Sequence, residues 1–476
     1  MRSLRLLALV APVFFLPLAC EDSSGSSSGA TFNPEAGGFE AGTVPEAGSP
    51  ETGVDSSPPA PLGVTVTVTE DALPKSNVRV ILQDAAGLVI GEQATDATGK
   101  VVVATAPSMV TVLTARGTGA GATVAPVTFA GVVDGDRLVV AAVADVAVEP
   151  SIVGQYSVSF STAGVAATAN SFDVTAGAGC FGSGAPGAPV LVGLYASCLA
   201  AKNAVLAEAL SDGSFLGFGF AKDVAKPPAG PPPGVLAVGP LTFAAAGTTT
   251  LTASNVLGGL SNFSTDLFAI ANSTAFRMNL STGLIDEGPQ TWKTPTGFAE
   301  AYQAVVSFDE LNASSTSTRF FVRREAVPAS NTLTNVDFAT ALPRITDAAL
   351  TKPTAVRPEV AVTSAASLGT ADGGVATFHW SNPLAETSGS WTIVFPPSTT
   401  TIKIPALPAD AAAFTPASNV AIDEVLFIEA TQVPGYKELK LLPIQPNFGI
   451  DLVNTQKPLP LPGTVRVSRW TPGVPG

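Results

Sequence analysis

The chain of 476 residues holds one histidine, His379, and only three cysteines. These four stand far apart in the sequence, at 20, 180, 198 and 379, without the close paired spacing of the usual zinc sites. A Ser-His-Asp triad is open only if His379 itself supplies the base. His379 lies in Val375-Ala376-Thr377-Phe378-His379-Trp380-Ser381, which reads as a strand. Alternation there turns Phe378 and Trp380 toward a core and His379 toward solvent or a neighbouring strand. No nucleophile elbow accompanies it, so a structural surface histidine is the reading. Basic residues are also scarce: 24 Lys and Arg stand against 38 Asp and Glu, for a net charge of −14. Phosphate neutralisation needs a Lys/Arg surface, so nucleic acid is not an expected partner. The same charge is repelled by anionic lipid. The apolar run Leu6 to Leu16 is too short to cross a bilayer, which takes about 20 residues in a helix.

Two catalytic patterns match only formally. Gly25-Ser26-Ser27-Ser28-Gly29 fits G-x-S-x-G but lacks a strand before it and a helix after it. Gly177-Ala178-Gly179-Cys180-Phe181-Gly182 fits G-x-G-x-x-G, but Pro186 and Pro189 prevent the helix that would hold a pyrophosphate. There is no P-loop and no metal-ligand cluster, so no cofactor is expected.

What the chain has in quantity is Ala, Val, Thr, Ser, 45 Gly and 40 Pro, a strand-and-turn composition, with 46% apolar residues to fill cores. The expectation is an all-β protein of serial β-sandwich domains behind a leader and a linker. At this length three or four folded domains are expected.

The leader comes first. Arg2 and Arg5 precede the uncharged run Leu6 to Leu16, followed by Leu16-Pro17-Leu18-Ala19-Cys20. A core of this size suits a secretory signal. The small residue before Cys20 resembles the cleavage motif of bacterial lipoproteins, with Pro17 standing where that family prefers Leu. An ordinary cleaved signal with a chance Cys nearby is the bland alternative. The resemblance implies a signal peptide over 1–19, acylation of Cys20, and a lipid-anchored place in the cell envelope, at the outer membrane and facing the periplasm or the surface. The lipid would then supply the membrane contact that the acidic chain does not. Residues 20–61 read as a linker: Ser-Gly repeats, then Pro34-Glu35-Ala36-Gly37, Phe39-Glu40-Ala41-Gly42 and Pro45-Glu46-Ala47-Gly48, with acids and no Lys or Arg. Low hydrophobicity and one-signed charge predict disorder and extension, hence a tether. In an exported chain the remaining pair, Cys180 and Cys198, is a disulfide candidate.

Residues 62–148 form the first expected domain. Val64, Val66 and Val68 alternate with threonines. A turn at Leu73-Pro74-Lys75-Ser76-Asn77 leads to Val78, Val80 and Leu82, and Thr95-Asp96-Ala97-Thr98-Gly99 makes another turn before Val101 and Val103. This order resembles the carboxypeptidase regulatory-like, or transthyretin-like, β-sandwich family. The resemblance implies a passive structural or adhesive module with no catalysis. Asp134-Gly135-Asp136 reads as a hairpin turn rather than a calcium loop.

Residues 149–234 form a second domain around the cysteine loop. Leu199 to Leu210 has helix propensity, yet Asp212-Gly213 before Phe215-Leu216-Gly217-Phe218-Gly219-Phe220 favours a hairpin, so strand is preferred. The run Lys226 to Gly234 is a boundary or a long stiff loop. Residues 235–355 form a third β domain, with a short helix expected over Val336 to Ala341. Residues 356–476 form the fourth. Its strands with Trp380 and Trp391, then Ile402-Lys403-Ile404-Pro405, are weakly similar to the front half of a fibronectin type III-like sandwich. Val425–Ala430 and Glu438–Leu442 continue the strand pattern.

Acid–base pairs are not visible locally. Asp286-Glu287, Asp309-Glu310 and Asp423-Glu424 are neighbours, and neighbours in a strand point to opposite faces. A couple assembled from distant segments stays open. Trp380 and Trp391 read as core. Trp292 and Trp470, flanked by polar residues, are the surface candidates for stacking on a ligand. The expected function is that of an envelope lipoprotein with a structural, adhesive or partner-binding role. The alternative is a carbohydrate- or peptide-binding lipoprotein. No catalytic residue is assigned, and an enzyme is not expected.

Overall fold

The computed structural model describes residues 63–473, apart from 72, 105, 117–122, 143–150, 178, 201, 229, 231, 257–261, 280, 283–287, 312–314, 352–356, 383–386, 417–419, 447–448 and 455–456. Signal, tether and Cys20 therefore lie outside the described residues, as does Asp286-Glu287. The chain is all-β, with sandwiches following one another in sequence.

One 14-stranded sheet runs through much of the protein. It begins with Thr274–Arg277, Asn262–Ala271, Ala301–Leu311 and Ser315–Ala326. It continues through Gly463–Pro472, Ala421–Ala430, Gly373–Asn382 and Thr387–Phe395, and ends with Val127–Ala130, Met109–Val112, Arg79–Gln83 and Val89–Ala94. Strands from the first, third and fourth sequence units thus share one hydrogen-bonded surface. The join between fourth and first units is parallel, with Thr392 opposite Val127 and Val394 opposite Phe129.

Smaller sheets cover both faces of the long one. On one face lies the sheet of Val64–Glu70, Lys100–Val103 and Arg137–Ala142, extended by Ile444–Gln445 from near the C-terminus. Its Val64, Val66 and Val68 share a core with Val375, Leu426 and Ile428. On the other face, the sheet of Gly247–Ser254 and Gly288–Thr294 covers the third unit, and that of Ile345–Leu350, Glu359–Ser364 and Thr401–Lys403 covers the fourth. This explains the unbroken run Val425-Leu426-Phe427-Ile428. Val425 and Phe427 enter the core of Trp380 and Trp391, while Leu426 and Ile428 enter the other. A strand buried on both faces has no need of polar alternation.

A row of polar groups crosses the parallel join inside the protein. Gln83 bonds Thr111 (3.0 Å), Thr111 bonds Thr128 (2.8 Å), and Trp391 Nε1 donates to Thr128 Oγ1 (2.8 Å). All four residues are buried. Each buried polar atom needs a partner, so the row admits few registers other than this one.

The second sandwich has a core of its own, while Ala204, Leu206 and Phe218 on its outer face pack with the third unit. Gly154–Phe160 pairs with Val190–Leu194 and, in parallel, with Val235–Leu241. Facing them are Phe181–Gly184, Ser171–Thr175, Asn203–Ser211, Ser214–Val224 and Phe243–Ala244. Val238, Leu241 and Phe243 lie in the same core as Tyr156 and Phe172. The boundary expected at 234 is therefore corrected. The described residues between Val224 and Val235 connect strands of this one sandwich, because Val235–Leu241 completes its three-stranded sheet. The boundary at 355 is corrected likewise, since Ile345–Leu350 pairs with Glu359–Ser364 across it.

Local readings fare unevenly. The Thr95–Gly99 turn forms: Asp96 Oδ1 accepts from Thr98 N (2.8 Å) and Lys100 N (3.1 Å), and Gly99 takes φ +71°. A Cβ at Gly99 would lie 2.5 Å from the Val68 carbonyl oxygen. Asn203–Ser211 is a strand, as the hairpin signal favours. The segment from Val336 is a two-residue strand followed by a 3-10 turn, Phe338–Thr340, rather than a helix of its full expected length. Tyr436–Leu439 is a short helix, where the sequence pattern predicts a strand from Glu438.

Candidate functional site

Trp292 and Trp470 offer no stacking surface: they are 2% and 6% exposed. Trp292 packs in the third unit's core and Trp470 beside Trp380 and Trp391 in the fourth. The correction has a simple cause. In a half-buried strand the residues flanking an inward side chain point outward, so polar neighbours mark an inward tryptophan. Thr291 and Lys293 are only partly buried on either side of Trp292, and Arg469 is exposed beside Trp470. The tight fit at Trp380 makes the same point, since a Cβ on Gly389 across the strand pair would meet its ring.

A concave surface lies elsewhere, in an open cleft of about 610 Å³ between the second and third sandwiches. Antiparallel pairing of Ser171–Thr175 with Asn203–Ser211 puts Asp173 directly opposite Glu208. The next strand places Phe181 opposite Thr175 and Ser183 opposite Asp173. Phe181 is 77% exposed and forms part of the cleft lining. Gly177 and Gly179, both with positive φ, make the turn that delivers it, and Cys180 N donates to Gly177 O. The disulfide Cys180–Cys198 ties the start of this strand to the 3-10 turn Ala196–Cys198. The pairing expected of these cysteines is thus present.

The opposite wall comes from the third unit. Arg277 donates to Asp266 Oδ1 from Nε (3.1 Å) and Nη2 (2.7 Å), and Asn279 also faces the cleft. Phe268 and Phe276 line it as well. The two walls are joined outside the cleft by Asn272, which exchanges hydrogen bonds with Asp223. Lys202 pairs with the same carboxylate (3.2 Å).

Glu208 is the electrostatically distinct group. Burial raises its carboxyl above the ordinary glutamate range, and the neighbouring Asp173 charge raises it further. The site therefore joins a carboxyl that resists ionisation, a second carboxylate beside it, an Arg–Asp pair opposite and an exposed phenyl ring. Carboxylates and an arginine can hydrogen-bond hydroxyl or amide groups, and the ring supplies an apolar face for stacking. The sequence alone hid this couple, because Asp173 and Glu208 come from separate strands. Only Phe181, set among glycines, carried a local hint of exposure.

Asp309-Glu310 alternates as expected, but at Asp423-Glu424 a register shift against Gly373–Asn382 interrupts the alternation and leaves both carboxylates on the face away from Trp380 and Trp391. Glu310 is buried against Arg319 (3.0 Å) and Arg344. Asp423 meets His379 Nδ1 at the surface, while Glu424 pairs with Arg469. His379 is exposed, with its side chain at 54%, as expected of a surface structural residue. Among the described residues no group of three or more His, Cys, Asp or Glu is placed to hold a metal ion, and no helix is long and apolar enough to cross a membrane.

No protein-family model and no curated protein matches the sequence. Among solved structures, the chicken CNTN1 FN1–FN3 domains align over 68% of this chain and 88% of that one, at 9% identity and a TM-score of 0.13. At that score the alignment carries no argument about arrangement or function. The all-β sandwich architecture rests on this chain's own sheets, and the site on its own cleft.

Proposed function

We propose that this chain is a lipoprotein of the cell envelope, anchored through acylated Cys20, that binds a polar partner in the cleft between its second and third sandwiches. The preferred partner is an envelope protein segment or a glycan. The observation that supports this reading is the meeting of exposed Phe181 with Asp173, Glu208 and the Asp266–Arg277 pair in one open cleft. The acidic tether of residues 20–61 would hold the sandwiches away from the bilayer.

The full chain, probed on a glycan array and on a peptide array, is expected to bind one class of polymer. Phe181→Ala and Glu208→Gln should each weaken that binding by about tenfold or more, the scale of one good contact of 1.4 kcal/mol. Binding unchanged in both variants would sink the cleft as the site. The anchor has its own test: palmitate-analogue labelling of cells should vanish in Cys20→Ser.

A second reading has one observation in its favour. Glycoside hydrolysis needs two carboxyl groups, one of them kept protonated. Asp173 and Glu208 face one another across a strand pair, and burial raises the Glu208 carboxyl above the ordinary glutamate range. Release of reducing ends from a bound glycan, lost in Glu208→Gln, would favour hydrolysis over binding alone.

A further inference from the structure

Asp136 and Lys440 meet inside the protein, with side chains 0% and 2% exposed. Asp136 ends the turn before the strand Arg137–Ala142. Its Oδ2 accepts from Val133 N (2.8 Å) and contacts Lys440 Nζ. Its Oδ1 is buried and has no hydrogen-bond partner. Lys440 follows the helix Tyr436–Leu439, and its Nζ sits over the Tyr436 ring, 4.6 Å from the centroid. That ring is held in place from its far end, where the hydroxyl donates to the carbonyls of Ala130 (2.5 Å) and Val394 (3.1 Å).

Such a pair is poorly served as ions. Two charges have left water, and one carboxylate oxygen has nothing in return. Burial lowers the Lys440 ammonium, which favours the neutral amine. A desolvated lysine amine is a nucleophile, and here its target is held in contact.

We propose that Lys440 and Asp136 join covalently, as an amide between Lys440 Nζ and Asp136 Cγ. The ammonium first passes a proton to the carboxylate, giving amine and carboxylic acid. The amine nitrogen then forms a bond to Cγ, a second proton moves from nitrogen to the departing oxygen, and the Cγ–O bond breaks to release one water. Charges and atoms balance, and no oxidant, reductant or activated donor is needed. Exclusion of water from the site disfavours the reverse reaction. Tyr436 is a positioning residue that covers the amine. The product clasps the first sandwich to the C-terminal segment, 304 residues apart in sequence.

The test is peptide mapping of the full chain after reduction, unfolding and digestion with trypsin. The expected result is a branched peptide containing both Asp136 and Lys440, lighter than its two parts by one water, with no cleavage after Lys440. In Lys440→Arg, which keeps a cation beside Asp136, the branched species should be absent. Two linear peptides from the wild type, cut after Lys440, would overturn the proposal. So would the same branched mass in Lys440→Arg. The wild-type map decides even if the variant does not fold, and neither outcome depends on the cleft.

Discussion

Glu208 is held in a position that opposes its own ionisation. Its folded-state pKa lies above the unfolded value, through burial and then through Asp173. Between those two values the folded state binds more protons, so stability falls as pH rises through the window, and the full cost of ionised Glu208 is present above it. Glu208→Gln should therefore stabilise the protein at neutral pH by a few tenths of a kcal/mol, the scale of like charges facing across a strand pair. The gain should vanish below the ordinary glutamate pKa, as read by denaturant midpoints along a pH series. The two kinds of aromatic residue give a sharper contrast. Trp292→Ala should cost about 3–5 kcal/mol, as for a fully buried aromatic. Phe181→Ala should leave the unfolding free energy within about 0.5 kcal/mol of wild type. If Trp292→Ala proves mild, the burial described for it is wrong.

At the scale of elements, apolar patterning reports how many faces a strand buries. Val64-Thr65-Val66-Thr67-Val68 alternates, with its threonines only partly buried. Val425-Leu426-Phe427-Ile428 does not alternate, because sheets lie on both sides of it. Strand positions were therefore legible, while the partners of each strand were not. The parallel join of Val127–Ala130 to Thr387–Phe395 links segments with no local relation, and turn chemistry cannot announce it. The buried row through Thr128 supplies its specificity. Thr128→Val should cost about 1–3 kcal/mol, because the Trp391 indole N–H and Thr111 each lose a buried partner. Chemical denaturation followed by tryptophan fluorescence would measure it. A neutral outcome would mean that water or another acceptor replaces the hydroxyl.

For the whole molecule, shared sheets make the sequence units unequal as folding units. The first unit buries Val64, Val66 and Val68 in a core that also holds Leu426, Ile444 and Val467. Residues 62–148 expressed alone should therefore expose apolar surface and the Val127–Ala130 edge, and aggregate or give poorly dispersed NMR spectra. Residues 151–246 keep a core and disulfide of their own and should unfold cooperatively, although the fragment would expose Ala204, Leu206 and Phe218, which pack with the third unit in the whole chain. A well-folded 62–148 would show that the long sheet is not needed by its first strands. Reduction of Cys180–Cys198 should lower the stability of the 151–246 fragment by about 3 kcal/mol, from the loop it closes.

Composition and alternation sufficed for the all-β class, most strand positions, the Thr95–Gly99 turn and the cysteine pair. Each of these depends on residues near one another in sequence, or on a count of what the chain holds. The joining of units into one sheet, the burial of Trp292 and Trp470, and the cleft of Asp173, Glu208 and Phe181 were decided by tertiary structure. Which face of a strand is covered, and which strand lies beside it, depends on segments tens to hundreds of residues away, and neither local propensity nor a flanking polar residue carries that information.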